Sequence, residues 1–316
     1  ILLEQEDDTL HFFNVGKEEQ EGFVFAPFDT NEPAVIITPN KFTISHLPTQ
    51  SIVENTNIDI LEDTKTEKQK HIDLVTKAIN EIHQGTFEKV VLSRKITIKE
   101  MVNPFKSFTN MVTRYPSAFC YLFYHPKVGT WLAATPETLF QSNGSNFQTM
   151  ALAGTQPFKE GEIHWLSKEK EEQQIVTDTI VQQLQGYAEK FEVSAPKTVQ
   201  AGKVMHLCTI IKGKIKENKA FEIIQRLHPT PAVCGYPTDK AHKFIIENEL
   251  YNRQYYTGYC GWVSNNNQAL YVNLRCMQIT ANETSLYVGG GITKDSIPEK
   301  EYEETQNKAQ TMITIL

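Results

Sequence analysis

The chain has 316 residues, 40% of them hydrophobic and 22% charged, and its 38 Asp and Glu outnumber 31 Lys and Arg to leave a net charge of −7. That balance belongs to a folded globular protein and excludes a disordered, collagenous or coiled-coil chain. An acidic excess without basic clusters argues against nucleic-acid and anionic-membrane partners, and no apolar run approaches the ~20 residues of a membrane span.

From Leu10 to about Leu47, short apolar runs such as Phe23-Val24-Phe25-Ala26-Pro27 alternate with Pro and Gly, which predicts several short strands. Glu54 to Lys70 is polar and acidic and reads as a linker. It leads into a helix in which Ile72, Val75, Ile79 and Ile82 recur at helical spacing until Gly85. Phe87 to Ile98 alternates as a strand, with Lys89, Val91 and Ser93 on one face. Asn103-Pro104 opens a helix that stops before Pro116. A meander follows, with strands at Ala118 to Tyr124, Thr130 to Thr135, Thr138 to Ser142 and Phe147 to Ala153. Ser167 reads as the N-cap of a helix running to about Glu189. Beyond it the pattern predicts a strand from Lys203 to Ile215 and helices at Ala220 to Leu227 and Pro237 to Glu249. Strands at Tyr255 to Ser264, Ala269 to Thr280 and Ser285 to Gly291 follow, and Pro298 starts the last helix. Meanders interrupted by helices, without regular βαβ alternation, predict an α+β fold with largely antiparallel sheets. The five cysteines are widely spaced and contain no C-x-x-C pair, so they read as buried thiols of a reducing, cytoplasmic compartment.

Glu169 and Glu172 lie three apart on one predicted helix, and Glu301 and Glu304 repeat that spacing on another. Glu172 continues the apolar stripe of Val176, Ile180 and Leu184, so it points inward. Two readings stand: a hard oxygen site suited to Mg²⁺, or acidic residues that merely favour first helical turns. Gly289-Gly290-Gly291 reads as an anion-binding backbone or as a tight turn. Arg275, placed on a strand face with Tyr271, Asn273 and Met277, needs either an internal carboxylate or an anionic ligand. Lys89 and Glu137 are the candidate base and acid if their pKa values are shifted, and otherwise a solvated strand start and a solvated turn.

The motifs in their order resemble the chorismate-utilising enzymes, isochorismate synthases in particular, over residues 66–316. They are Lys89-Val-Val-Leu-Ser-Arg94, Ala134-Thr-Pro-Glu137, Ala151-Leu-Ala-Gly-Thr155, Lys168-Glu-Lys-Glu-Glu172, Leu227-His-Pro-Thr-Pro-Ala-Val233, Tyr256-Thr-Gly258, Leu274-Arg-Cys276, Gly289-Gly-Gly-Ile292 and Glu301-Tyr-Glu-Glu-Thr305 with Lys308. The resemblance implies one large α+β domain, two largely antiparallel sheets packed together with helices outside, and residues 1–65 as a strand-rich part of that domain. It also implies that Lys89 activates water for attack at C2 of chorismate while Glu137 protonates the departing C4 hydroxyl. Glu172 and Glu304 would hold Mg²⁺, supported by Glu169 and Glu301. Arg275 and Tyr256 would grip the enolpyruvyl carboxylate with Lys308 and backbone N–H near Gly289, and Gly154, Thr155 and His228 would line the ring pocket. Aminating relatives usually carry Gln where Lys89 stands, so no obligatory glutamine amidotransferase is expected. Salicylate synthases, which keep the Lys and then eliminate pyruvate, are the nearest alternative, and a non-catalytic small-anion binder is a second. Gln156-Pro157-Phe158 replaces the usual Arg, Gln173 stands where His or Asn is frequent, and Gln254 replaces a Gly.

Overall fold

The computed structural model describes residues 1–14, 20–46, 65–99, 102–161, 163–202 and 204–316, so most of the linker predicted at 54–70 lies outside the described residues. Strands β1 (Leu2–Glu4), β2 (His11–Phe12), β3 (Gly22–Ala26), β4 (Val35–Ile37) and β5 (Lys41–Thr43) precede helix α1 (Lys65–His83). Next come β6 (Lys89–Ile98), α2 (Pro104–Arg114), β7 (Phe119–His125), β8 (Gly129–Thr135), β9 (Thr138–Asn143) and β10 (Asn146–Pro157). Helix α3 (Ser167–Leu184) leads to β11 (Ala188–Val193), β12 (Lys197–Ala201), β13 (Val204–Ile215) and α4 (Ala220–Leu227). The chain closes with β14 (Gly235–Tyr236), α5 (Thr238–Asn248), β15 (Tyr259–Val263), β16 (Asn267–Val272), β17 (Cys276–Ile279), β18 (Thr284–Ile292) and α6 (Pro298–Ile313).

Among the described residues these strands form a ten-stranded sheet, in the order β11-β13-β10-β9-β16-β15-β3-β4-β2 with β12 also on β13, and a six-stranded sheet ordered β14-β6-β18-β17-β8-β7. A further pair, β1 and β5, stands apart. Alternation along each strand explains the layers. In β8, Leu132 and Ala134 face the cluster shared with Met111 of α2 and Met312 of α6. Their neighbours Trp131 and Ala133 face the other way, into an aromatic layer with Phe25, Tyr121 and Tyr287 that glues the two sheets together. The rings there pack closely, with Phe25 stacked on Tyr255 at 4.2 Å and Tyr287 stacked on Trp131 at 5.4 Å. Helices α3 and α4 cover the outer face of the large sheet through Val176, Ile180, Leu184, Ile223 and Ile224, while α1 and α5 pack against Val90 and Leu92 of β6. The α+β architecture with packed antiparallel sheets is the one expected.

Three local expectations change. Helix α3 ends at Leu184 because Gly186 takes a left-handed turn (φ +87°), and the polar strands β11 and β12 follow where the chain was expected to remain helical or irregular. The N-cap is Leu166, whose N–H donates to Glu169 Oε2 at 3.0 Å, and Ser167 is the first helical residue. The expected strand from Ala269 to Thr280 is two strands in different sheets: the chain leaves the large sheet after Val272 and enters the small one at Cys276, with Arg275 left-handed (φ +48°) between them. Arg275 is therefore on a crossing and not on a strand face.

Beside β6, Arg253 acts as a clamp. Its Nε donates to Glu249 Oε2 (2.8 Å), Nη2 to Glu249 Oε1 (2.6 Å) and Val91 O (2.7 Å), and Nη1 to Val233 O (3.0 Å) and Thr257 Oγ1 (3.2 Å). Every N–H of the guanidinium is thus satisfied. Glu249 Oε1 also accepts from Ser93 N and Oγ. All five cysteines are free thiols, and no helix of the described residues is long and apolar enough to cross a membrane.

Candidate active site

Two crossings between the sheets lie side by side. Strand β8 of the small sheet hands over to β9 of the large sheet through Pro136-Glu137, and β16 hands back to β17 through Asn273-Leu274-Arg275. They are stitched together: Thr135 Oγ1 donates to Val272 O (2.5 Å), Val272 N to Glu137 O (3.0 Å), and Ala134 N to Arg275 O (3.2 Å). A side chain on a crossing faces the gap between sheets, and both Glu137 and Arg275 line a pocket there.

Glu137 is 2% exposed. Burial drives its carboxyl up to about 8, although Lys89, Arg275 and the Thr230 hydroxyl pull the other way, so it carries a proton at neutral pH. Lys89, at the start of β6, is fully buried, and its Nζ lies 3.0 Å from Glu172 Oε1. Burial pushes the Glu172 carboxyl upward, but Lys89, Lys308 and Lys168 together hold it below its ordinary value.

Gly289, Gly290 and Gly291 lie inside β18, paired with Ser93, Leu92 and Val91 of β6, so the triplet is neither a turn nor the strand's end. On the opposite edge β17 pairs only as far as Tyr287, which leaves this stretch of β18 open. Lys308 Nζ donates to Gly289 O (2.9 Å) from that side, and in a strand the N–H of the same residue points the same way. The missing side chains make room. A Cβ on Gly291 would lie 2.3 Å from Glu172 Oε1, one on Gly290 3.3 Å from Glu304 Oε1 and 3.5 Å from Glu301 Oε2, and one on Gly289 3.0 Å from the Tyr256 hydroxyl. Three carboxylates from two helix starts therefore converge on bare backbone.

Each carboxylate is drawn to a lysine: Glu172 to Lys89, Glu304 to Lys308 (2.7 Å) and Glu301 to Lys168 (2.5 Å). In keeping with that, no three His, Cys, Asp or Glu side chains among the described residues close around a common point as metal ligands do. The donor chemistry nonetheless fits a hard divalent cation, because an ammonium already stands in for one: Lys168 feels Glu301, Glu304 and Glu172 together. Glu169 does not join them. One of its oxygens closes the cap of α3, and its Cβ packs where a Cβ on Gly154 would fall at 3.0 Å.

Gly154 (φ +69°) forms a bulge in β10 that turns Gly154 and Thr155 into the pocket wall. Its carbonyl meets His206 Nδ1 at 3.0 Å, and His206 Nε2 lies 3.2 Å from Arg275 Nη2. Burial, Arg275 and Lys308 hold the His206 pKa well below its ordinary value, so the ring is neutral. Its partners assign the tautomer: Nδ1–H donates to Gly154 O, and Nε2 accepts from Arg275. Arg275 is thus steadied by a neutral group, and its buried Nε has no hydrogen-bond partner among the described residues. That orphaned donor calls for an anion in the pocket.

Tyr256 and Lys308 reach the pocket as expected, and His228 does not. His228 Nε2 faces Pro27 O at 3.0 Å and its ring meets the Tyr259 ring edge-on at 5.0 Å; Ala232 and Val233 of the same segment form the wall instead. Sequence reasoning missed His206 and gave Lys168 no role. The available signals were a single inward His in an apolar strand and a basic residue in a helix's first turn. Gln173, where His or Asn is frequent in the resembling family, is buried and bonds Thr177 and Thr209, away from the pocket wall.

A family model described as chorismate binding enzyme matches residues 30–316. The isochorismate synthase MenF of Escherichia coli is 34% identical over 268 residues, covering 80% of this chain and 60% of that protein, so the chain spans less than two thirds of this relative. The vibriobactin-specific isochorismate synthase of Vibrio cholerae is 25% identical over 308 residues, covering 92% of this chain and 78% of that one. Among solved structures, a putative 2,3-dihydroxybenzoate-specific isochorismate synthase, DhbC from Bacillus anthracis, superposes with a TM-score of 0.83 at 25% identity, over 93% of this chain and 84% of that one.

Proposed function

The chain belongs to the chorismate-binding enzyme family, and from that premise we propose that it is an isochorismate synthase, exchanging the C4 hydroxyl of chorismate for a hydroxyl at C2. The observation that carries the reading is the protonated, buried Glu137 facing the same pocket as Glu172 and Arg275, with the Lys89 ammonium nitrogen 3.0 Å behind Glu172 Oε1. Chorismate is a dianion. One carboxylate meets Arg275, whose orphaned Nε and His206-steadied fork await an anion, with Tyr256, Lys308 and the open edge at Gly289 beside it. Glu172, Glu304 and Glu301 would hold Mg²⁺, which supplies Lewis-acid charge for the other carboxylate.

Lys89, acting as the neutral amine, takes a proton from the attacking water as its oxygen bonds to C2, the two ring double bonds shift and the C4–O bond breaks, and Glu137 gives its proton to the departing hydroxyl. Attack and departure consume and release one water, so the reverse reaction uses the same two groups with roles exchanged. Because reactant and product are isomers that differ in where a hydroxyl and the ring double bonds sit, with no oxidation or group transfer between them, positioning carries most of the catalysis. Lys89 in place of the glutamine of aminating relatives supports water as the nucleophile and action without a glutaminase partner. The free thiols support a reducing, cytoplasmic setting.

The test is direct: purified protein with Mg²⁺ and chorismate is expected to form isochorismate, and the Lys89→Ala variant to form none. Absence of product from both sinks the reading, and chorismate binding without turnover would leave an anion binder. Release of salicylate and pyruvate would assign the further elimination.

A further inference from the structure

Lys168 is a cation at the unfavourable end of a helix. It lies in the first turn of α3, where the helix dipole is positive and acidic side chains are favoured. From there it reaches the first turn of α6, where its Nζ sits 2.5 Å from Glu301 Oε1. Glu301 and Glu304 lie one turn apart and repel each other, and with Glu172 they surround this ammonium with negative charge. The three lysines of the cluster differ in how firmly they are held. Lys89 is fully buried, and Lys308 is bound to Gly289 O as well as to Glu304. The Lys168 side chain is 26% exposed and, among the described residues, bonds only Glu301, whose own side chain is 2% exposed. Of the three it is the most exposed, with a route to water along a flexible stem.

We propose that Lys168 is a built-in counter-cation which a divalent metal ion must displace from Glu301, so that this lysine sets the affinity of the carboxylate cluster for Mg²⁺. The inference rests on the reading of Glu172, Glu301 and Glu304 as cation ligands. Until metal arrives, Lys168 neutralises the cluster and ties the starts of α3 and α6 together. When metal binds, its ammonium swings to solvent. Part of the metal's binding free energy is then spent on breaking a lysine–carboxylate pair, which weakens the site and makes it release the ion readily.

Calorimetric titration of Mg²⁺ alone into the intact chain, without substrate, tests this with wild type, Lys168→Met and Lys168→Arg. Lys168→Met removes the charge and keeps the stem, and is expected to bind Mg²⁺ roughly tenfold tighter or more; Lys168→Arg is expected to bind no tighter than wild type. Thermal melting gives a second readout. Lys168→Met, which leaves Glu301 without its partner, melts below wild type in chelator and gains more from saturating Mg²⁺ than wild type does. If wild type binds Mg²⁺ and Lys168→Met binds it equally or more weakly, the proposal fails while the cation reading stands. If neither binds, both fail. Lys168→Gln serves in the same titration should the methionine variant not fold.

Discussion

Glu137 holds its proton because burial outweighs two nearby cations, and this gives it a defined pH signature. Its folded-state value of about 8 stands above the ordinary 4.5, so the folded form binds the proton more tightly. The stability it contributes is complete below about 4.5 and is lost as pH rises through about 8. Glu137→Gln cannot ionise, and its urea-unfolding stability is expected to fall less than that of wild type across this window. As the proposed acid, Glu137 must be protonated, so kcat/KM of wild type is expected to decline as pH rises through about 8. Glu137→Gln is expected to lose about 10²- to 10⁴-fold in activity with no such limb, measured by a pH–rate profile. His206 works through Arg275. Removing a hydrogen bond to a charged group costs about 1.5–3 kcal/mol, so His206→Ala is expected to raise KM for chorismate about tenfold or more and to change kcat less. That Glu137 and Arg275 face one pocket, with Lys89 beside Glu172, was legible in the sequence because each sits in a short distinctive motif. His206 was not: one histidine among apolar neighbours reads equally well as core, and only the bulge at Gly154 reveals its partner. His228 was misplaced for the opposite reason, a motif without the backbone that turns its ring toward Pro27.

At the level of elements, β18 is a strand built to be approached from both faces. Gly291 leaves room for Glu172 and Lys89, and Gly290 for Glu301 and Glu304. Gly291→Ala sets a methyl 2.3 Å from the Glu172 carboxylate oxygen and is expected to cost about 1–3 kcal/mol of stability together with most of the activity. Gly290→Ala, with 3.3 Å to its nearest contact, is expected to be milder in both. Melting temperature and kcat for the two variants check this ordering. The Glu-x-x-Glu spacing and the inward stripe of α3 were readable from helical period alone. Strands β11 and β12 were not, because AEKFEV and KTVQA are largely exposed and carry no apolar alternation; pairing with β13 makes them strands. The break at 273–275 was hidden too, since the residues flanking it continue to alternate while the backbone turns left-handed.

Across the whole molecule, the two sheets are held by the aromatic layer, while the Arg253–Glu249 pair, whose side chains are each 2% exposed, ties the end of α5 and the loops at Val233 and Thr257 to β6. Truncating one partner of such a pair leaves a buried charge, so Arg253→Met is expected to cost about 3–5 kcal/mol, read from urea unfolding. The α+β class and its packed antiparallel sheets were legible. Which strand joins which sheet was not, because that is decided by long-range pairing that local pattern does not encode. The pairing of β6 with β18 has a further consequence, for the order in which the protein can be made. Val90 lies opposite Ile292, so as the chain leaves the ribosome, the strand that carries Lys89 waits through most of synthesis for its central neighbour. Such non-local contacts form slowly and leave strand edges exposed meanwhile. The small sheet, and with it the pocket, is therefore completed only once β18 has been made.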